Sequence, residues 1–269
     1  MSLKMDRGSV LLRQAGWAGS AVLNLPAALG ARGHRLQLCP PPDRPVDPAG
    51  HAPVVLVHGY AASVDCWTPL VARLGAEAFD RVFVFGYNGL SADLPDLGQA
   101  LARAVTSVLG ETGGQGVHLV GHSLGGLVVR LAAEWGGLWA SALTVATIAT
   151  PHRGSALAWL APGQAARWMR SGRAALPDPV FDRVTGGPRY LNFHCSRDAV
   201  LTQRSARLEV DRVTNIELPD VGHLGATRAD ALLATLPDEL VAGERSRLLV
   251  PGTGAGPDGA IDRRTSVPA

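Results

Sequence analysis

Three residues whose types can work together stand in order along this 269-residue chain, each just past an apolar run. They are Ser123 in VHLVGHSLGG, Asp198 in HCSRDAVL and His223 in LPDVGHLG. A serine hydroxyl attacks a carbonyl poorly near neutral pH. It needs a base to take its proton, and the base works best when a carboxylate orients it. The bare pattern G-x-S-x-G says little: with 32 Gly and 14 Ser, chance gives roughly 0.2 matches in a chain of this length. The context of Ser123 says more. It follows a strand-like run and opens a helix-like one, the setting of a nucleophile elbow. Gly121 and Gly125 suit a strained turn pressed against its own strand and helix. The helix N-terminus beneath the serine favours developing negative charge.

The other acids and histidines are placed less well. Asp182 and Asp211 precede the strand runs 189–195 and 212–218, which puts them at the opposite end of a sheet. Asp220 reads as a turn residue. His118 and His194 fall inside strand runs, and His58, His122 and His152 read as structural hydrogen-bonders. Asp198 and His223 are therefore the expected partners of Ser123. Acyl chemistry also needs two N–H donors for an oxyanion. The expected pair is Leu124, just after the nucleophile, and Tyr60 in HGYAAS, with Ala61 as the fallback.

Such a set requires a scaffold that brings three loops to one edge. Short apolar runs at 54–59, 81–87 and 117–121 read as strands buried on both faces, and the runs at 142–150, 189–195 and 212–218 read as further strands. Helical patterns at 64–76, 91–110 (capped by Ser91), 123–135 and 226–236 alternate with them. The alternation predicts an α/β fold with a mostly parallel sheet flanked by helices. In such sheets ligands and catalytic groups gather at the carboxyl ends of the strands, where all three residues fall.

LVHGY, GHSLGGLVVR, ATPHRGS, SRDAVL and VGHLG, taken in order over roughly residues 53–236, resemble the α/β-hydrolase family, and within it the bacterial lipases and esterases with a short oxyanion loop. The resemblance implies hydrolysis of apolar carboxylic esters through an acyl-enzyme on Ser123, with a small-molecule or lipid ester as partner and no metal or organic cofactor. An acyltransferase or thioesterase with the same triad is the alternative, followed by a peptidase and by a non-enzymatic hydrolase-like binding protein. The step from triad to lipase or esterase is analogy, because this fold hosts many activities.

The rest of the chain sets bounds. A net charge of +2 from 25 basic and 23 acidic residues offers no footprint for nucleic acid. Three cysteines without C-x-x-C spacing point to buried thiols rather than a zinc site or a disulfide framework, with one disulfide left open. The expected organisation is an N-terminal segment and Pro-rich connector over 1–52, a catalytic domain over 53–242, and a poorly ordered Gly/Pro/Arg/Thr-rich tail over 243–269. Residues 10–31 can be read as a signal peptide, a weak membrane span, or a helix on the domain or on a membrane surface. A cytoplasmic or peripheral-membrane location is favoured over secretion. Residues 155–188 have room for a small helical cap. There Trp159, Leu160, Trp168 and Met169 either face an acyl chain or serve as ordinary packing. Arg167, Arg170 and Arg173 are either a solvated face or contacts for anionic head groups.

Overall fold

Within the strand runs 54–57 and 82–85, alternate residues serve opposite cores. Val55, Val57, Phe83 and Phe85 join one apolar cluster, while Val54, Leu56, Val82 and Val84 join another. A strand with a core on each face must lie inside a sheet covered on both sides. The computed structural model shows that arrangement. It describes residues 34–39, 50–112, 116–171, 176–179, 181 and 187–248. Seven strands form one sheet: β1 (Arg35–Cys39), β2 (Val54–Val57), β3 (Val82–Gly86), β4 (Val117–His122), β5 (Ala142–Ile148), β6 (Arg189–Cys195) and β7 (Val213–Leu218). Their spatial order is β1-β3-β2-β4-β5-β6-β7. All neighbours are parallel except β1, which pairs antiparallel with β3.

Six helices accompany the sheet among the described residues: α1 (Thr68–Ala76), α2 (Leu94–Thr112), α3 (Leu124–Glu134), α4 (Gln164–Trp168), α5 (Gln203–Ala206) and α6 (Asp230–Leu248). Helices α2 and α3 bury Leu94, Leu97, Leu101, Leu127 and Val128 on one face. Helices α1 and α6 bury Leu70, Leu74, Leu232, Leu236 and Leu240 on the other. The α2–α3 crossing is close: a Cβ at Gly98 would stand 2.6 Å from Leu131 Cβ, so glycine is needed there.

The expected boundaries shift in three places. Strand β1 lies inside the segment set apart as 1–52, so the sheet begins well before residue 53. Its Leu36 is buried in the α2–α3 core, and that burial recruits the strand. Helix α6 runs through Pro237 to Leu248 instead of stopping at 236, and so covers the first residues of the expected tail. Leu232, Leu236 and Leu240 hold it to the sheet on both sides of the proline, which outweighs the hydrogen bond that Pro237 removes. Glu244 then anchors its far end, accepting from Ala52 N–H at 2.8 Å and bonding His51 Nδ1 at 3.0 Å and His118 Nε2 at 3.3 Å. Helix α2 starts at Leu94, with the Asp93 carboxylate accepting the Leu94 N–H at 2.9 Å, not at Ser91. Residues 10–31, most of the Pro-rich connector, Arg173 and residues 249–269 lie outside the described residues. Among the described residues no helix is long and apolar enough to cross a membrane. Cys66 and Cys195 carry free thiols.

Candidate active site

β4 is a central strand buried along its whole length, and it ends at His122, with Ser123 the next residue. Ser123 stands at φ 53°, ψ −120°, a strained conformation for a side-chain-bearing residue. The packing around it over-determines the turn. A Cβ on Gly121 would overlap the backbone of Gly125 and stand 2.6 Å from Gly126 N, and one on Gly125 would overlap the carbonyls of Val57 and His58. The chain can therefore turn straight from strand into helix α3, leaving the serine at the carboxyl edge of the sheet.

The partners come from the loops after β6 and β7. His223 Nε2 lies 3.0 Å from Ser123 Oγ, and its Nδ1 lies 2.9 Å from Asp198 Oδ2. The carboxylate can only accept, so Nδ1 carries the proton and the Nε2 lone pair is left to accept from the serine hydroxyl. Asp198 Oδ1 accepts the N–H groups of Val200 at 2.8 Å and Leu201 at 2.9 Å. Burial pushes the Asp198 carboxyl up, but the bond to His223, the His223 charge and those two N–H groups outweigh it and hold the acid below its ordinary value. It is thus ionised wherever the imidazole has to act. Asp220 pairs instead with Arg197 at 2.7 Å, on an exposed turn.

The two expected oxyanion donors lie beside this group. Leu124 is the first residue of α3, so its N–H is one of those a helix leaves without an internal partner. Tyr60 follows the His58-Gly59 turn after β2. A Cβ at Gly59 would stand 3.0 Å from Ser123 Cβ, and one at Gly89 would stand 3.6 Å from both Tyr60 Cα and Leu124 Cδ2, which brings the two loops to one place. Ala61, with φ 52°, closes the turn. His58 has a structural part: its Nδ1 bonds the Gly59 carbonyl at 2.9 Å, Tyr87 OH donates to its carbonyl at 2.7 Å, and its ring stacks on Tyr87. Burial lowers its pKa despite the bond to Gly59, so it stays neutral.

The segment after β5 makes a short excursion beside these loops. A 3-10 turn (Ala156–Trp159) and α4 return to their starting point, with Ser155 N–H donating to the Met169 carbonyl at 2.6 Å. The four aromatic and aliphatic residues singled out here divide. Trp159 and Leu160 are 55% and 85% exposed, whereas Met169 is buried among core residues. Trp168 is half-buried and donates its indole N–H to Asp93 at 2.7 Å. The excursion rests on the turn after β2, where Tyr60 OH donates to the Pro162 carbonyl at 2.5 Å.

A second polar group escapes sequence reasoning. Arg130, seven residues past the serine on α3, is fully buried. It binds both carboxylate oxygens of Glu134 at 2.9 and 3.1 Å, the Pro177 carbonyl at 2.6 Å, and His152 Nδ1 at 3.3 Å. His152 Nε2 in turn bonds Asn192 Oδ1 at 3.1 Å. Burial and then Arg130 hold His152 far below its ordinary pKa, so it is a neutral bridge. The only sequence signal is an arginine within an apolar helix with a glutamate four residues on.

The mostly parallel sheet and its flanking helices agree with the comparisons. The chain belongs to the alpha/beta hydrolase family, whose model matches residues 54–242. It is 35% identical over 152 residues to a triacylglycerol lipase of Burkholderia plantarii, covering 54% of this chain and 38% of that one. It is 39% identical over 114 residues to a triacylglycerol lipase of Pseudarthrobacter phenanthrenivorans, covering 39% and 35%. The matches thus span little more than a third of the length of these curated relatives. In structure the chain is similar to a Bacillus licheniformis lipase in its mature form, with a TM-score of 0.65, 20% identity and coverage of 76% of this chain and 97% of that one. At that identity the likeness speaks for the fold.

Proposed function

We propose that the protein is a serine carboxylic-ester hydrolase of lipase or esterase type, cleaving apolar acyl esters. One observation carries this reading: His223 bonds Ser123 Oγ through one ring nitrogen and Asp198 through the other. The Ser123 oxygen attacks the ester carbonyl as His223 Nε2 takes its proton. Asp198 stabilises the resulting imidazolium, and the N–H groups of Leu124 and Tyr60 hold the oxyanion. As the carbon–oxygen bond to the alcohol breaks, His223 returns the proton to the departing oxygen, leaving an acyl ester on Ser123. Water then attacks this ester with His223 as base, releasing the acid and restoring the serine. An apolar acyl group is supported by the side chains exposed at this edge: Leu157, Trp159 and Leu160 on the excursion, and Leu224 next to the catalytic histidine. Hydrolysis of p-nitrophenyl esters from acetyl to palmitoyl tests the reading. Turnover is expected in the wild type and should vanish in Ser123→Ala, which should melt at the wild-type temperature. Full activity in that variant contradicts the mechanism, and turnover only with thioesters moves the chain to the thioesterase alternative.

A further inference from the structure

His122 is a buried histidine that the triad does not use, yet it touches the triad. Its Nε2 lies 3.1 Å from the backbone carbonyl of His223, across one hundred residues of chain, and the two rings are 5.2 Å apart. A carbonyl can only accept, so Nε2 must carry the hydrogen. The other ring nitrogen, Nδ1, is buried with no hydrogen-bond partner among the described residues. A protonated ring would strand a second N–H there, and burial followed by the nearby His223 lowers the His122 pKa to about 4. The ring is thus a neutral donor of fixed tautomer with one bond to make. Its Nδ1 edge faces the oxyanion turn, where a Cβ at Gly59 would stand 3.1 Å from it.

We infer that His122 is a positioning residue for catalysis: its Nε2–H fixes the main chain of His223 and thereby the distance of the catalytic base from Ser123. The catalytic ring is held at its tip by Ser123 and Asp198, but both of those bonds change character as protons move. The His122 bond lies on the backbone, outside the proton path, and stays constant through the cycle. Without it the loop can relax, and displacements well under a bond length already slow proton transfer. The inference rests on the serine-hydrolase reading above.

Two amides separate this role from mere packing. In His122→Gln the amide nitrogen reaches about as far as imidazole Nε2, while in His122→Asn it stops near the Nδ1 position. The measurement is the rate at which an alkyl fluorophosphonate labels Ser123, which reads nucleophile activation without the natural substrate. Labelling loses fluoride and forms a serine phosphonate ester. kcat and KM for p-nitrophenyl butyrate and the melting temperature are taken alongside. His122→Asn should label about tenfold more slowly, with kcat reduced to match and KM within about threefold of wild type. His122→Gln should label within about threefold of wild type. Wild-type labelling of His122→Asn overturns the inference, as does an equal loss in both amides, which would mean that the imidazole matters for packing alone. Should His122→Asn not fold, His122→Leu takes its place with the same expectation. No labelling of the wild-type protein sinks the underlying serine-hydrolase reading and the inference with it.

Discussion

At the scale of single residues, the proposed triad follows from its donors and acceptors. Asp198 accepts three hydrogen bonds, from His223 and from two backbone N–H groups of its own loop. Replacing it with asparagine should favour the wrong imidazole tautomer while leaving the loop nearly intact. The expected result is a fall in kcat of about four orders of magnitude with little change in KM. A loss of less than tenfold would mean that Asp198 does not orient the base. The grouping of Ser123, His223 and Asp198 was expected from the sequence because each follows an apolar run in a fixed order. His122 was legible only as a neighbour of the motif. Its partner is a backbone carbonyl far along the chain, and no residue type marks a carbonyl. The same holds for Arg130, whose partners come from α3, the loop after β5 and Pro177 ahead of β6. Trp168 and Met169 were named for size and hydrophobicity, properties that do not distinguish a residue packed inward from one beside a ligand.

At the scale of elements, the turn from β4 into α3 is where sequence and geometry are tied most tightly. Gly125 packs on the carbonyls at the end of β2, and no rotamer change can make room there because the obstacle is main chain. Gly125→Ala should therefore abolish folding or leave the protein without activity and with a strongly lowered melting temperature. Circular dichroism melts check this, and a wild-type melt would show that the turn has room for a side chain at residue 125. β2, β3 and β4 were legible as mostly apolar runs buried on both faces, whereas β7, an edge strand with Thr214 and Glu217 exposed, was legible from its place in the alternation of strands and helices. β1 was missed because it is an edge strand of five residues, RLQLC, with only alternate positions facing the core. Helix α6 was cut short because Pro237 reads locally as a stop, whereas the leucines spaced along its buried face continue past it.

At the scale of the whole molecule, several buried histidines stay neutral in the fold. Burial lowers the pKa of His58, His118, His122 and His152. The unfolded chain thus binds more protons than the folded one as pH falls below the ordinary value of 6.5, and stability falls with pH there. For His122, held at about 4, the loss on passing through that window is about 3 kcal/mol. Glu244 adds to it lower down. Burial opposes its charge, but the bonds from His118, His51 and Ala52 N–H bring it to about 2 against an ordinary 4.5, so its contribution is present above 4.5 and lost toward 2. Thermal melts from pH 8 to pH 4 should show a steep fall below about 6, and a flat profile would contradict neutral burial of these rings. The claim on which everything else depends is the acyl-enzyme, and its most direct test is peptide mass mapping of protein acid-quenched during turnover of p-nitrophenyl butyrate. The expected result is a butyryl group on the peptide that carries Ser123, absent from Ser123→Ala. Steady hydrolysis with no adduct on that peptide, or with equal rate in the alanine variant, would contradict it.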